Sequence, residues 1–181
     1  LRKSGYFLQL SDVHLDPWFN ASMGSACFCN TPAGAEERAR CAASSTGNAL
    51  GQAGCYPPRT LLHATLAAAV AAQPAGGYDW FVITGDYTRH NVDARGAPNR
   101  RVLVRRIMRE VLEAVRAFFP DIAVHHGLGF EPLVLGNNDF TADYNLSVTD
   151  PRRGANPWFS FLAPSAAASA AALGTYSGKG Q

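Results

Sequence analysis

The sequence predicts an α/β protein whose elements run strand, helix, strand, helix, strand. Two observations carry that expectation. Short apolar runs, YFLQL from Tyr6 to Leu10, DWFVIT from Asp79 to Thr84 and the start of LVLGNND from Leu133 to Asp139, each stop at a polar turn, as a buried strand entering a loop does. The segments before the second and third runs have helical composition and period. Strands and helices that alternate in this way join through right-handed crossovers, and such sheets present their chemistry at the carboxyl ends of the strands.

In chain order, the first run ends at Ser11-Asp12, with His14 just beyond. From Asp16 to Pro58 there is little periodicity and many small residues, so a long surface excursion is expected, held by its four cysteines. Arg59 to Ala72 is Ala- and Leu-rich, with Pro57-Pro58 before it and Pro74 and Gly76-Gly77 after it, which bounds a helix. The DWFVIT strand then stops at Gly85-Asp86. Pro98 opens a second, amphipathic helix to about Phe119, with Val102, Ile107, Val111, Leu112 and Val115 on its apolar side, Arg residues opposite and Pro120 at its end. LVLGNND follows, delivering Asn137, Asn138 and Asp139 together. Beyond Asp150 the chain turns Ala- and Ser-rich, and no internal repeat is present.

With 181 residues and 47% hydrophobic content, the chain is one domain in size and can build a core. A formal charge of +2 gives no footprint for nucleic acid or an anionic membrane. No apolar run reaches the roughly 18 to 20 residues that span a bilayer; the longest candidate, Leu61 to Ala72, is interrupted by His63. The chain begins at Leu1 with no signal-peptide pattern, so any targeting or anchoring segment would be encoded upstream of it.

Cys27, Cys29, Cys41 and Cys55 all fall in the excursion. Cys27 and Cys29 are too close to pair comfortably with each other, so each is expected to join Cys41 or Cys55, in an order left open. A four-cysteine zinc site is the competing reading, although the paired CxxC knuckles of such sites are missing. The sequons at Asn20 (Asn-Ala-Ser) and Asn145 (Asn-Leu-Ser) agree with the disulfide reading and with an oxidising, lumenal or secreted compartment.

Three successive strand ends supply Asp12 and His14, then Asp86, then Asn137. A turn explains one such ending, not all three. Carboxylate, imidazole and amide donors together suit divalent cations such as Zn²⁺, Mn²⁺, Fe²⁺ or Mg²⁺. A carboxylate between two others can bridge a pair of ions about 3.5 to 4 Å apart, an arrangement that hydrolyses phosphate esters and anhydrides.

SDVHLDP (Ser11 to Pro17), TGDYTRH (Thr84 to His90) and LGNND (Leu135 to Asp139) resemble, in order and spacing, the D-x-H, G-D-x-x-x-H and G-N-x-[DE] motifs of calcineurin-like metallophosphoesterases. The spacing of the second motif and the cysteine-bearing loop resemble the acid sphingomyelinase-like branch, and GDYTRHNVD and GNNDF are most similar to endopolyphosphatases. The resemblance covers about Phe7 to Asn145. It implies the layered α/β sandwich of that superfamily, of which residues 1–181 would be an incomplete single domain supplying the N-terminal β-α-β-α-β part. It further implies two divalent ions, with Asp12 and His14 on the first, Asp86 bridging, Asn137 on the second and His90 beside the substrate phosphate as donor or proton carrier. The implied activity is internal cleavage of inorganic polyphosphate, and the implied location is a vacuolar or lysosomal lumen.

Two departures qualify the likeness. Asn138 stands where phosphodiesterases of the superfamily carry a histidine that protonates the leaving group. A general acid is worth roughly a hundred- to ten-thousand-fold when the leaving oxygen is strongly basic; an amide has no titratable proton, so Asn138 favours a phosphoanhydride, whose leaving phosphate needs little help. The later G-H and G-H-x-H ligands of the family do not occur in these 181 residues. His63 reads as a packed or surface helix residue and His125-His126 as a loop pair, so the chain alone is expected to bind metal weakly and hydrolyse little. Arg89, nearest the centre, is expected to grip phosphate through its planar guanidinium fork. A sphingomyelinase-like or nucleotide phosphodiesterase and a non-catalytic lumenal domain are the alternatives.

Overall fold

The computed structural model describes residues 5–92, 100–120 and 135–139. The chain divides into two compact units, Leu1–Tyr144 and Asn145–Gln181, and all described residues belong to the first. The predicted tail, His125, His126 and the sequon at Asn145 lie outside them.

The described part is mixed α/β. Two short strands, β1 (Phe7–Leu10) and β2 (Trp80–Ile83), pair in parallel with Phe7 opposite Trp80 and Leu10 opposite Ile83. A parallel pair needs a long crossover, and here the intervening chain contains helices α1 (Ala35–Ala43) and α2 (Arg59–Ala71). Helix α3 (Arg100–Phe118) follows β2. Of the expected third strand, Leu133 and Val134 lie outside the described residues, and Leu135-Gly136 have no regular secondary structure.

Helix α2 ends one residue before the predicted Ala72, which caps it, and it buries Leu62 and Leu66, one turn apart, as it packs on α3. Helix α3 buries Val104, Ile107, Met108, Val111, Ala114 and Val115, a stripe at the 3.6-residue period that the sequence predicts. Val102, expected on that stripe, is exposed because it lies round the helix from the Val104–Met108–Val111 line. Arg59 joins three elements. Its guanidinium pairs with Glu110 of α3 in bidentate fashion and donates to the Pro17 carbonyl at 2.8 Å, and the hydrogen bond to Glu110 holds its pKa above the ordinary arginine value.

Two expectations are corrected. The strands are not buried on both faces: Phe7 and Trp80 pack ring to ring at 6.0 Å yet each is 55% exposed, and of β2 only Ile83 is buried. The excursion is also not devoid of regular structure. Helix α1 forms from AEERARCAA, with Glu36 and Glu37 at its positive end, Arg40 in its last turn and a Glu37–Arg40 pair one turn apart. It is exposed almost throughout, so burial contributes little; Cys41, its buried residue, supplies its anchor.

All four cysteines are in disulfides, Cys27 with Cys41 and Cys29 with Cys55, at Cα separations of 5.7 and 5.5 Å, which replaces the zinc alternative and resolves the open pairing. The bridges close 14- and 26-residue separations. Restricting the unfolded chain in this way stabilises by roughly 3 kcal/mol per loop, in a segment too small-residue-rich to hold itself by burial. No helix among the described residues is long and apolar enough to cross a membrane.

Candidate metal centre

The parallel alignment of β1 and β2 continues past the strands. Asp12 N–H donates to the Gly85 carbonyl at 3.3 Å, His14 N–H to Asp86 at 2.9 Å and Leu15 N–H to Tyr87 at 2.8 Å, and Leu15 bridges Thr88. The first two motifs are therefore held side by side by their backbones, and their polar side chains emerge at one sheet end. Asp12, His14 and Asp86 all adopt left-handed backbones, with φ of 52°, 43° and 53°. Such angles are uncommon outside glycine, cost energy, and cluster at functional sites.

Each of these three residues offers a ligand atom within 4.8 Å of the other two. His14 Nε2 lies 3.9 Å from an Asp12 oxygen and 3.8 Å from an Asp86 oxygen. These spans exceed a hydrogen bond but fit two ligands on one cation: donors at about 2.0–2.2 Å from a metal sit roughly 3 to 4 Å apart. The exposed Asp12 carboxylate (66%) also accepts from the Ser11 hydroxyl, whereas the His14 and Asp86 side chains are 18% and 13% exposed. On its far side, His14 Nδ1 is 2.9 Å from the Thr88 carbonyl, which can only accept. The proton therefore sits on Nδ1, and the Nε2 lone pair faces the carboxylates, the tautomer a metal-bound histidine needs.

The third motif reaches the same place. Gly136 packs so closely on Gly85 and Asp86 that a β-carbon on either glycine would overlap the facing backbone or the Asp86 side chain. Asn138 N–H donates to Asp86 Oδ1 at 3.0 Å. Asn137, exposed in the turn, lies between two residues that both touch Asp86. Asp139 fastens the turn, accepting from Gly136 N–H at 2.9 Å and Thr88 N–H at 3.1 Å; burial pushes its carboxyl up to about 6 despite those donors. Asn138 is fully buried, and neither its Oδ1 nor its Nδ2 has a hydrogen-bond partner among the described residues.

His90 stacks on His14 with centroids 4.9 Å apart and planes 19° apart. Arg89 is buried: Nη1 donates to Asp16 at 2.9 Å and to Asn30 at 3.0 Å, Nε donates to the His90 carbonyl at 3.2 Å, and the guanidinium lies 4.5 Å from the Tyr56 ring centroid. A grip on phosphate would have to compete with that ion pair. Asn20, the first sequon, uses its side chain in the loop, with Nδ2 donating to Thr31 and Oδ1 accepting from Ser22 N–H.

Sequence reasoning missed Thr88, Asp16, Asn30 and Tyr56 as participants. Thr88, inside the second motif, touches the other two, through His14, Asp139 and the Asn138 carbonyl, which accepts from its hydroxyl at 2.9 Å. Asp16 and Thr88 lie inside the motifs, but nothing in the sequence signals their pairings. Tyr56 gave one weak signal, its position beside Cys55.

No protein-family model matches the chain, and no curated protein matches it.

Proposed function

We propose that this chain carries the N-terminal part of a calcineurin-like metallophosphoesterase domain, of the acid sphingomyelinase-like branch, that hydrolyses phosphoanhydrides, with internal cleavage of inorganic polyphosphate the favoured activity. The observation that carries this reading is the convergence of Asp12, His14 and Asp86 within 4.8 Å of one another, on left-handed backbones held by two parallel segments. The donor set fits a divalent cation: two carboxylates and an imidazole whose other nitrogen is tied to a carbonyl. Asp12 and His14 would hold one ion, Asp86 would bridge to a second, and Asn137 would complete the second. When bound, the ions would supply the positive charge that activates water and offsets the phosphoryl oxygens.

The chain's own residues account for the rest. His90, stacked on His14, offers an imidazole at the edge of the centre as donor or proton carrier for a phosphate oxygen. Asn138, whose backbone N–H donates to Asp86, carries a neutral, buried side-chain amide. An unpaired buried amide costs about 1–3 kcal/mol, a cost that a native structure tolerates where a ligand completes the bonds. Carrying no titratable proton, Asn138 suits a leaving group that departs as phosphate rather than alkoxide. The two disulfides support a lumenal or secreted setting, with the vacuolar or lysosomal lumen favoured.

The test compares long-chain polyphosphate, sphingomyelin and a nucleotide diester as substrates of the complete protein, with and without Mn²⁺ or Zn²⁺. Metal-dependent shortening of polyphosphate that is lost in Asp86→Ala supports the reading; preference for either ester moves it to a phosphodiesterase. A non-catalytic lumenal domain is the second reading, favoured by the lack of G-H-x-H in these 181 residues. Metal-independent inertness towards all three substrates would establish it.

A further inference from the structure

We propose that Tyr56 is a positioning residue of this centre: the disulfide-bonded loop carries its ring against the His14–His90 imidazole pair and so fixes the direction in which His14 presents its lone pair. The inference rests on the metal-centre reading above. The Tyr56 centroid lies 6.5 Å from that of His14 and 6.0 Å from that of His90, tilted by 49° and 42°, so one ring borders both imidazoles. The Thr88 carbonyl pins one nitrogen of His14 but does not by itself stop the ring swinging about that bond. His90 on one side and Tyr56 beside it limit that swing.

Tyr56 is itself held from several directions. Its neighbour Cys55 is bonded to Cys29, and on its other side the Pro57 carbonyl accepts from Asp16 N–H at 2.8 Å. The Arg89 guanidinium lies 4.5 Å from its centroid, and Phe28, between the two disulfide-bonded residues Cys27 and Cys29, lies 6.4 Å away. Arg89 is in turn fixed by buried Asp16 and Asn30. The loop after β1 is thus connected to the imidazoles through one aromatic ring, and its disulfides contribute to metal affinity as well as to loop stability.

The experiment measures Zn²⁺ binding to the complete protein by calorimetry, together with its imidazole ¹H–¹⁵N resonances in the metal-free state. Tyr56→Ala is expected to weaken Zn²⁺ binding about tenfold or more, the loss typical when a group that orients a ligand is removed, and to shift the His14 and His90 resonances. Tyr56→Phe, which keeps the ring, is expected to stay close to wild type in both. If Tyr56→Ala loses the far-UV dichroism of the fold, Tyr56→Leu replaces it, keeping an apolar branched side chain without the ring. Wild-type affinity and unshifted resonances in the ring-less variant, alongside lost binding in Asp12→Ala, would overturn this inference and leave the metal centre standing. Equal losses in Tyr56→Phe and Tyr56→Ala would overturn the ring-packing argument, and a complete wild-type protein that binds no Zn²⁺ would overturn both readings.

Discussion

His14 donates its Nδ1 proton to the Thr88 carbonyl at 2.9 Å, which leaves Nε2 as the nitrogen facing Asp12 and Asp86. One backbone oxygen therefore sets the tautomer of a side chain contributed from 74 residues away. Replacing His14 with Ala removes the only nitrogen donor in the three-residue cluster. Because groups that merely orient a ligand are worth about 10- to 100-fold in metal affinity, His14→Ala is expected to lose more than about a hundredfold in Zn²⁺ affinity. Calorimetric titration checks this; binding within tenfold of wild type would remove His14 from the centre.

The Arg89–Asp16 pair makes a different kind of contribution. Both side chains are buried, and Asn30 satisfies each of them, donating to Asp16 Oδ2 at 2.7 Å and accepting from Arg89. Removing one partner strands the other's charge in a dry environment, which costs about 3–5 kcal/mol. Asp16→Ala is therefore expected to lower unfolding stability by that amount in chemical denaturation. The double variant Asp16→Ala/Arg89→Leu is expected to lose less than Asp16→Ala alone, since no uncompensated charge remains. A double variant less stable than the single would show that the pair contributes through more than charge balance.

How much of this was readable beforehand follows from distance along the chain. The stripe on α3 repeats every turn, so periodicity finds Ile107, Val111 and Val115 on its buried face, although Leu112 is half-buried, Val102 is exposed, and Val104, Met108 and Ala114 complete the stripe. Asp12, His14 and Asp86 were readable because each closes an apolar run, and strand ends of a parallel sheet converge by construction. The Arg89–Asp16 pair was not, because its partners are 73 residues apart and nothing in composition marks one arginine among many as buried. Arg89 was expected at phosphate because it lies nearest the centre in sequence and its guanidinium is a planar fork. Helix α1 was missed because AEERARCAA lacks an apolar stripe, and a covalent anchor at Cys41 does the work that burial does elsewhere.

The Cys29–Cys55 bridge gives a third expectation. It closes a 26-residue separation, for which chain-entropy arguments give roughly 3 to 4 kcal/mol. Cys29→Ser/Cys55→Ser is expected to lower stability by about that amount, with the loss visible as faster amide exchange in residues 25–57. An unchanged denaturation midpoint would mean that the loop is held by its hydrogen bonds alone.

Gly85 gives the sharpest expectation. Its φ of +98° is a left-handed angle that favours glycine, and an added β-carbon would lie 2.7 Å from the Leu135 carbonyl carbon and 2.8 Å from Gly136 Cα, both backbone atoms without rotamers to yield. The third motif would have to move away from the second, and the Asn138 N–H bond to Asp86 would be lost with it. Overpacking of about 1–3 kcal/mol adds to about 1–2 kcal/mol for a left-handed non-glycine backbone. Gly85→Ala is thus expected to cost several kcal/mol and to weaken Zn²⁺ binding, whereas Gly77→Ala, also at positive φ but with only the Gln73 side chain near, bears the backbone cost alone and leaves Zn²⁺ binding unchanged. Denaturation and titration of the two variants side by side separate the effects: equal behaviour would mean that the close approach of Gly136 to Asp86 has no part in shaping the centre.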